Sequence, residues 1–114
     1  MATIYKICPE TLWREAERTG VFEGAPVDRA DGFIHFSTAE QSAETAARHF
    51  AGQSGLLLVA VDADALGPAL RYEISRGGAP FPHLYAPLAL SAVRWAKPLP
   101  LGADGTHEFP AMDR

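Results

Sequence analysis

Histidine changes charge near neutral pH, and this chain has four, at positions 35, 49, 83 and 107. No HxH, HxxxH or HExxH spacing occurs among them, so a metal site is not expected. Acid–base or ligand-holding work remains, and His35 and His83 lie in the segments best suited to it. In GFIHFST, strand alternation sends Ile34 and Phe36 one way and Phe33, His35 and Ser37 the other. If the aliphatic side packs under a helix, His35 and Ser37 face a cleft. Ser37 with Glu40, and Thr38 with Gln41, each have capping-box spacing, so a helix starts here in either register. Its free N–H groups would seat an anion beside Ser37 and Thr38. The plainer role of those hydroxyls is to cap it, and the plainer role of His35 is a hydrogen bond to a backbone carbonyl.

Two further segments carry candidates. In LRYEIS, Arg71 and Glu73 share one strand face about 7 Å apart. They could bind a ribose hydroxyl or carboxylate, or act as a base with its orienting cation; as a solvated pair they would contribute under about 1 kcal/mol. Tyr72, on the opposite face, is expected in the core. In GGAPFPHLYAPL the prolines hold Phe81, His83 and Tyr85 in fixed directions, and His83 and Tyr85 share a side if the segment is extended. A structural aromatic cluster is the alternative there. Cys8 is the only cysteine, which excludes an intramolecular disulfide and is read as a small buried residue.

The elements that must position these residues read as follows. TIYKIC is a strand, and PETLWREAERTG a helix with Trp13 inward and Gly20 at its end. Val21 to Asp31, rich in glycine, proline and aspartate, is expected to be a loop covering a site. A helix over about Ala39–Ala51 carries Ala43, Ala46, Ala47 and Phe50 on its apolar side, with His49 as a partner of its C-terminal dipole. LLLVAV, unbroken by polar residues, predicts a central strand buried on both faces. The segment RGGAPFPHLYAPL is expected to be irregular and compatible with a cis proline, and ALSAVRWAKPL is the last strand. One domain is expected, with residues 1–98 as its core and 99–114 an irregular tail on the surface. The order β, α, β, α, β and then mostly β argues an α+β domain with two main helices and a mixed or antiparallel sheet.

Composition narrows the partners. Hydrophobic residues make up 47% and charged residues 21%, as in ordinary folded domains. Ten basic against fourteen acidic residues, with no two basic residues adjacent, leave no electrostatic footprint for duplex nucleic acid. The longest apolar run is too short to span a bilayer. A cytoplasmic protein acting on a small-molecule ligand is expected.

The opening strand IYKIC, the segment DGFIHFSTAEQ, the strand ending in VDADAL, and then LRYE and FPHLYAPLALSAV resemble a small bacterial family numbered 952 among domains of unknown function. More distantly, HFS, helix, apolar strand and VDADAL are similar to the middle of the RNA 2'-phosphotransferases. GFIHFSTAEQSAETAARHF is similar to the segment of poly-ADP-ribose polymerases in which a tyrosine stacks on nicotinamide. That likeness implies an ADP-ribosyltransferase-like fold, NAD as the cofactor, and His35 at the position of the stacking tyrosine. Lys6 and Cys8 stand where those enzymes carry a His-Gly-Thr segment, and no Arg-His pair occurs near the N-terminus. The expected catalytic residues are His35, Glu73 and His83, and the expected ligand-binding residues are Lys6, Ser37, Thr38, Arg71 and Tyr85. A non-catalytic binding module and a hydrolase with a histidine base are the alternatives.

Overall fold

In the computed structural model residues 2–75 and 78–112 are described. Strand β1 (Thr3–Pro9) runs into helix α1 (Glu10–Thr19), whose end is set by Gly20 at φ 90°, its N–H donating to the Ala16 carbonyl at 2.8 Å. That left-handed turn suits glycine because a Cβ would crowd the following carbonyl. Glu10 and Arg14 pair across one helical turn as their spacing predicts, on the exposed side, while Trp13 and Ala16 are buried.

The segment read as a loop is in fact structured. It holds a short strand, β2 (Val21–Phe22), and a six-residue helix, α2 (Pro26–Asp31), bounded by Gly24 at φ 108° and Gly32 at φ 87°. Proline opens that helix, where its missing N–H costs nothing, and the Asp28 carboxylate accepts from the Ala25 N–H at 2.7 Å. Strand β3 is two residues long (Ile34–His35), and helix α3 (Ala39–His49) follows. Its cap is Thr38: the Thr38 hydroxyl accepts from Gln41 N–H, and Gln41 Oε1 accepts from Thr38 N–H at 3.0 Å. The alternative register from Ser37 is not used. The buried side of α3 is Ser42 and Ala46, with Phe50 half-buried just beyond; Ala43 and Ala47, expected inside, are exposed.

Strand β4 (Leu56–Asp62) is the centre of an antiparallel sheet with β1 on one side and β8 (Val93–Pro98) on the other. Its alternate residues enter different clusters. Leu57, Val59 and Val61 pack with Trp13, Phe22 and Ile34, while Leu56, Leu58 and Ala60 pack with Tyr5, Ala46 and Leu99. The unbroken apolar run therefore covers both faces, as expected. A 3-10 segment over Ala63–Ala69, broken at Gly67, leads to β5 (Leu70–Ile74), which pairs with β6 (Pro80–Leu84). In that second antiparallel sheet β6 is central, between β3 and β5; a two-stranded ribbon joins β2 to β7 (Leu88–Ala89).

Two expectations fail in this second sheet. Within the proline-rich segment Pro80–Leu84 is a regular central strand, and no peptide bond among the described residues is cis; Arg76 and Gly77 of that segment lie outside the described residues. The prolines fit because the Pro80 and Pro82 carbonyls point toward α3 and β3, accepting from Gln41 Nε2 at 2.8 Å and Phe36 N–H at 3.0 Å. Each missing N–H lies on that same side, beyond the end of the two-residue β3. Tyr72 is also not core: β5 is an edge strand, and Tyr72 and Ile74 are 50% and 71% exposed. The tail is ordered through Met112. Leu99 is buried, a bridge joins Leu101 to His107, and Phe109 and Met112 pack on the second cluster. The whole is a single α+β domain with antiparallel sheets.

Candidate active site

The two larger sheets meet at one bridge, where Tyr5 and Ser37 exchange backbone hydrogen bonds of 2.8 and 2.9 Å. Beside it lies a cavity of about 520 Å³, bounded by β1, α2, β3, α3 and β6. That volume suits a small organic ligand. Tyr5, Ile7, Phe36, Phe50 and Phe81 form its apolar wall, and Asp31, His35, His49 and His83 are among its polar groups.

Asp28 lies behind the cavity wall and holds two of its lining residues, His35 and Lys6. Its carboxylate, 1% exposed, accepts from His35 Nδ1 at 2.6 Å, from the His35 backbone N–H at 3.1 Å and from Lys6 Nζ at 2.8 Å. Burial alone would raise its pKa. The hydrogen bond from His35, the Lys6 charge and the Ala25 N–H outweigh burial and hold it well below the usual carboxylate range. An ionised Asp28 fixes the proton of His35 on Nδ1. The opposite nitrogen, Nε2, faces Asp31 Oδ2 at 3.0 Å, so His35 lies between two carboxylates.

His83 is the register partner of His35 across β3 and β6, and their ring centroids are 5.6 Å apart, edge to face. His83 is buried, and its Nδ1 donates to Glu73 Oε1 at 2.7 Å. The Tyr85 hydroxyl donates to the same oxygen at 2.7 Å. The Tyr85 hydroxyl first, and then the His83 ring, lower the Glu73 pKa, and Glu73 in turn raises that of Tyr85. Phe33 stacks on His83 at 4.2 Å and packs against His35 at 4.6 Å and Tyr85 at 5.1 Å. The side chains that alternation places together on one face, Phe33 and His35, do share it.

The expected site is thus brought together unevenly. His35, His83, Ser37 and Lys6 line the cavity. Glu73 and Tyr85 stand behind His83, and Arg71 lies over the Tyr85 ring at 5.1 Å. None of those three borders the cavity. Thr38 caps α3, and Ser37 Oγ lies 2.8 Å from Thr45 Oγ1. Lys6, expected to meet a ligand, has its ammonium on Asp28. Cys8 is buried, which pushes its thiol up to about 11 and keeps it protonated. The reading of the sequence missed Asp28, Asp31 and the cavity position of His49. The signal for the aspartates was present: proline at the first helical position, aspartate two residues on, and a terminal glycine mark a helix even over six residues. Among the described residues, no three His, Cys, Asp or Glu side chains are grouped to hold a metal, and no helix is long and apolar enough to cross a membrane.

Comparison with known proteins places the fold. The crystal structure of protein CC0527 from Caulobacter crescentus is similar at 53% identity, with a TM-score of 0.90 over 93% of each chain. Its solution NMR structure gives 54% identity and a TM-score of 0.83 over 93% of this chain and 91% of that one. No curated protein matches the sequence. Residues 7–96 match the family described as "Protein of unknown function (DUF952)", and the chain belongs to that family.

Proposed function

We propose that the cavity binds a small phosphorylated ligand, such as a nucleotide, and that the protein acts on small molecules in the cytoplasm. The observation that carries this reading is the convergence of His35 and His83, each fixed by a carboxylate, on one concave cavity with an aromatic wall. The imidazoles would meet the phosphate, and Phe36, Phe50 and Phe81 the ring or base. An interaction module would instead present a flat apolar patch. The exposed Tyr72 and Ile74 lie on the face of β5 opposite Glu73, away from the histidine pair.

The likeness of GFIHFSTAEQ to ADP-ribosyltransferase-like proteins makes NAD and ADP-ribose the first ligands to test, with that fold as the finer form of the reading. Lys6 and Cys8 replace the NAD-positioning groups of those enzymes, so binding rather than nicotinamide transfer is proposed. Titration with NAD, ADP-ribose, AMP and inorganic phosphate, followed by the ring ¹⁵N signals of the histidines, tests it. His35 and His83 are expected to shift, and His35→Gln and His83→Gln to weaken binding about tenfold each. Unmoved histidine signals and an unchanged melting temperature at millimolar concentrations of all four ligands would overturn the reading.

A further inference from the structure

The two histidines differ in what meets their second ring nitrogen. His35 has Asp28 on Nδ1 and Asp31 on Nε2, and it can donate to both only when the ring carries two protons. That is the arrangement of a proton donor. His83 gives its Nδ1 proton to Glu73, which leaves Nε2, with its lone pair, as the nitrogen that can serve the cavity as proton acceptor. With centroids 5.6 Å apart the rings are in edge-to-face contact on one wall of the cavity, so a phosphate in front of the pair can meet both.

Charge selects the kind of phosphate. Lys6 is the only lysine or arginine among the described residues lining the cavity, and Asp28 already holds its ammonium. Asp31 adds a negative charge at the mouth. A phosphomonoester carries about −1.5 to −2 near neutral pH, whereas a diester carries a single charge and is the better match. Asp31 is the last residue of α2, just before Gly32, and its side chain is 48% exposed. A diester oxygen arriving at His35 Nε2 would take the place of that carboxylate.

We infer that this pair cleaves a phosphodiester bearing an aromatic or nucleobase group, using water as the nucleophile. His83 Nε2 takes a proton from water as the water oxygen bonds to phosphorus. The ester P–O bond breaks, and His35 Nε2 gives its proton to the departing oxygen. A phosphomonoester and an alcohol result, and exchange with solvent returns each ring to its starting state. Glu73 and Asp28 are positioning residues in this scheme. The inference rests on the ligand binding proposed above.

The test uses the whole chain with 2',3'-cyclic AMP, whose leaving group is an alkoxide, and bis(4-nitrophenyl) phosphate, whose leaving group needs little protonation. Turnover of both is expected, with oxygen from ¹⁸O-water appearing in the phosphate. His83→Gln should slow both substrates by about 100-fold or more, and His35→Gln should slow the cyclic nucleotide far more than the nitrophenyl ester. The ¹⁸O result is read on the unaltered protein, so it stands even if a variant fails to fold. Histidine shifts with phosphate but no diester turnover would overturn this inference and leave the binding proposal intact. Turnover that survives both substitutions, or label in the alcohol, would also overturn it. Neither shifts nor turnover would remove both.

Discussion

Replacing Asp28 by asparagine would leave the Lys6 ammonium, 6% exposed, without its counter-charge. An uncompensated buried charge costs about 3–5 kcal/mol, so Asp28→Asn is expected to lower the urea midpoint by that equivalent. The same carboxylate predicts acid lability. Its folded pKa lies below the ordinary 3.8, so the unfolded chain binds more protons as pH falls past that value. The stability Asp28 contributes is complete above about 3.8 and declines below it, and urea titrations near pH 3 should show a loss for the natural protein that Asp28→Asn lacks. Asp31 acts differently. It is half exposed and covers His35 Nε2, so Asp31→Ala should tighten phosphate binding, by about 3-fold to 10-fold, with little change in stability. Unchanged or weaker affinity, measured by histidine NMR, would show that Asp31 does not hold the anion's place. In the sequence the histidines were legible through their alternation, but their carboxylate partners were not, because Asp28 and Glu73 reach them only through the packing of α2 and the pairing of β5 with β6.

Helix α2 delivers both aspartates, and its placement depends on Gly24. That residue has φ 108°, and a Cβ there would meet the Asp28 Cβ at 2.8 Å. Gly24→Ala is therefore expected to displace the helix and loosen the Asp28–His35 bond, costing roughly 1–3 kcal/mol from the backbone conformation alone. Gly32→Ala, at φ 87° with open space around it, carries the conformational cost without the clash. A comparison of the two by thermal melting and His35 ring signals separates steric displacement from strain, and equal effects would show that the contact with Asp28 is unimportant. Glycine, proline and aspartate composition suggested a loop here, and each of those residues instead marks a boundary or cap of one short helix. The start of helix α3 was legible to within the two registers of Ser37 and Thr38, yet its buried side was not. Ser42 turns inward because its hydroxyl donates to the Thr38 carbonyl at 2.8 Å and no longer needs water, while Ala43 is small enough to be left outside.

Across the whole molecule, the β1–β4–β8 sheet separates two apolar clusters, and the second is completed by residues beyond the last strand. Leu99 is 1% exposed there, with Phe109 and Met112 packed against it. A chain ended at Pro98 should lose at least about 2–5 kcal/mol, the usual cost of removing one buried leucine. An unchanged melting temperature after that truncation would show that residues 99–112 contribute nothing to the second cluster. The sheet's centre was visible in LLLVAV, since a run with no polar alternation has to be covered on both sides. The covering itself was not visible, because the tail has no period of its own and takes its shape from the surface it meets.

The sequence by itself determined the α+β class, the two longer helices, the central strand, and the side of β3 that His35 would occupy. Each follows from local rules: backbone sterics, capping spacing and the two-residue repeat of a strand. Only the tertiary structure decided that His35 and His83 stand opposite each other, that Lys6 is held by Asp28, and that Glu73 supports a histidine from behind instead of lining the cavity. Those relations join residues far apart in the chain. They depend on how β6 pairs with both β3 and β5, and on where α2 docks, which no stretch of sequence contains alone.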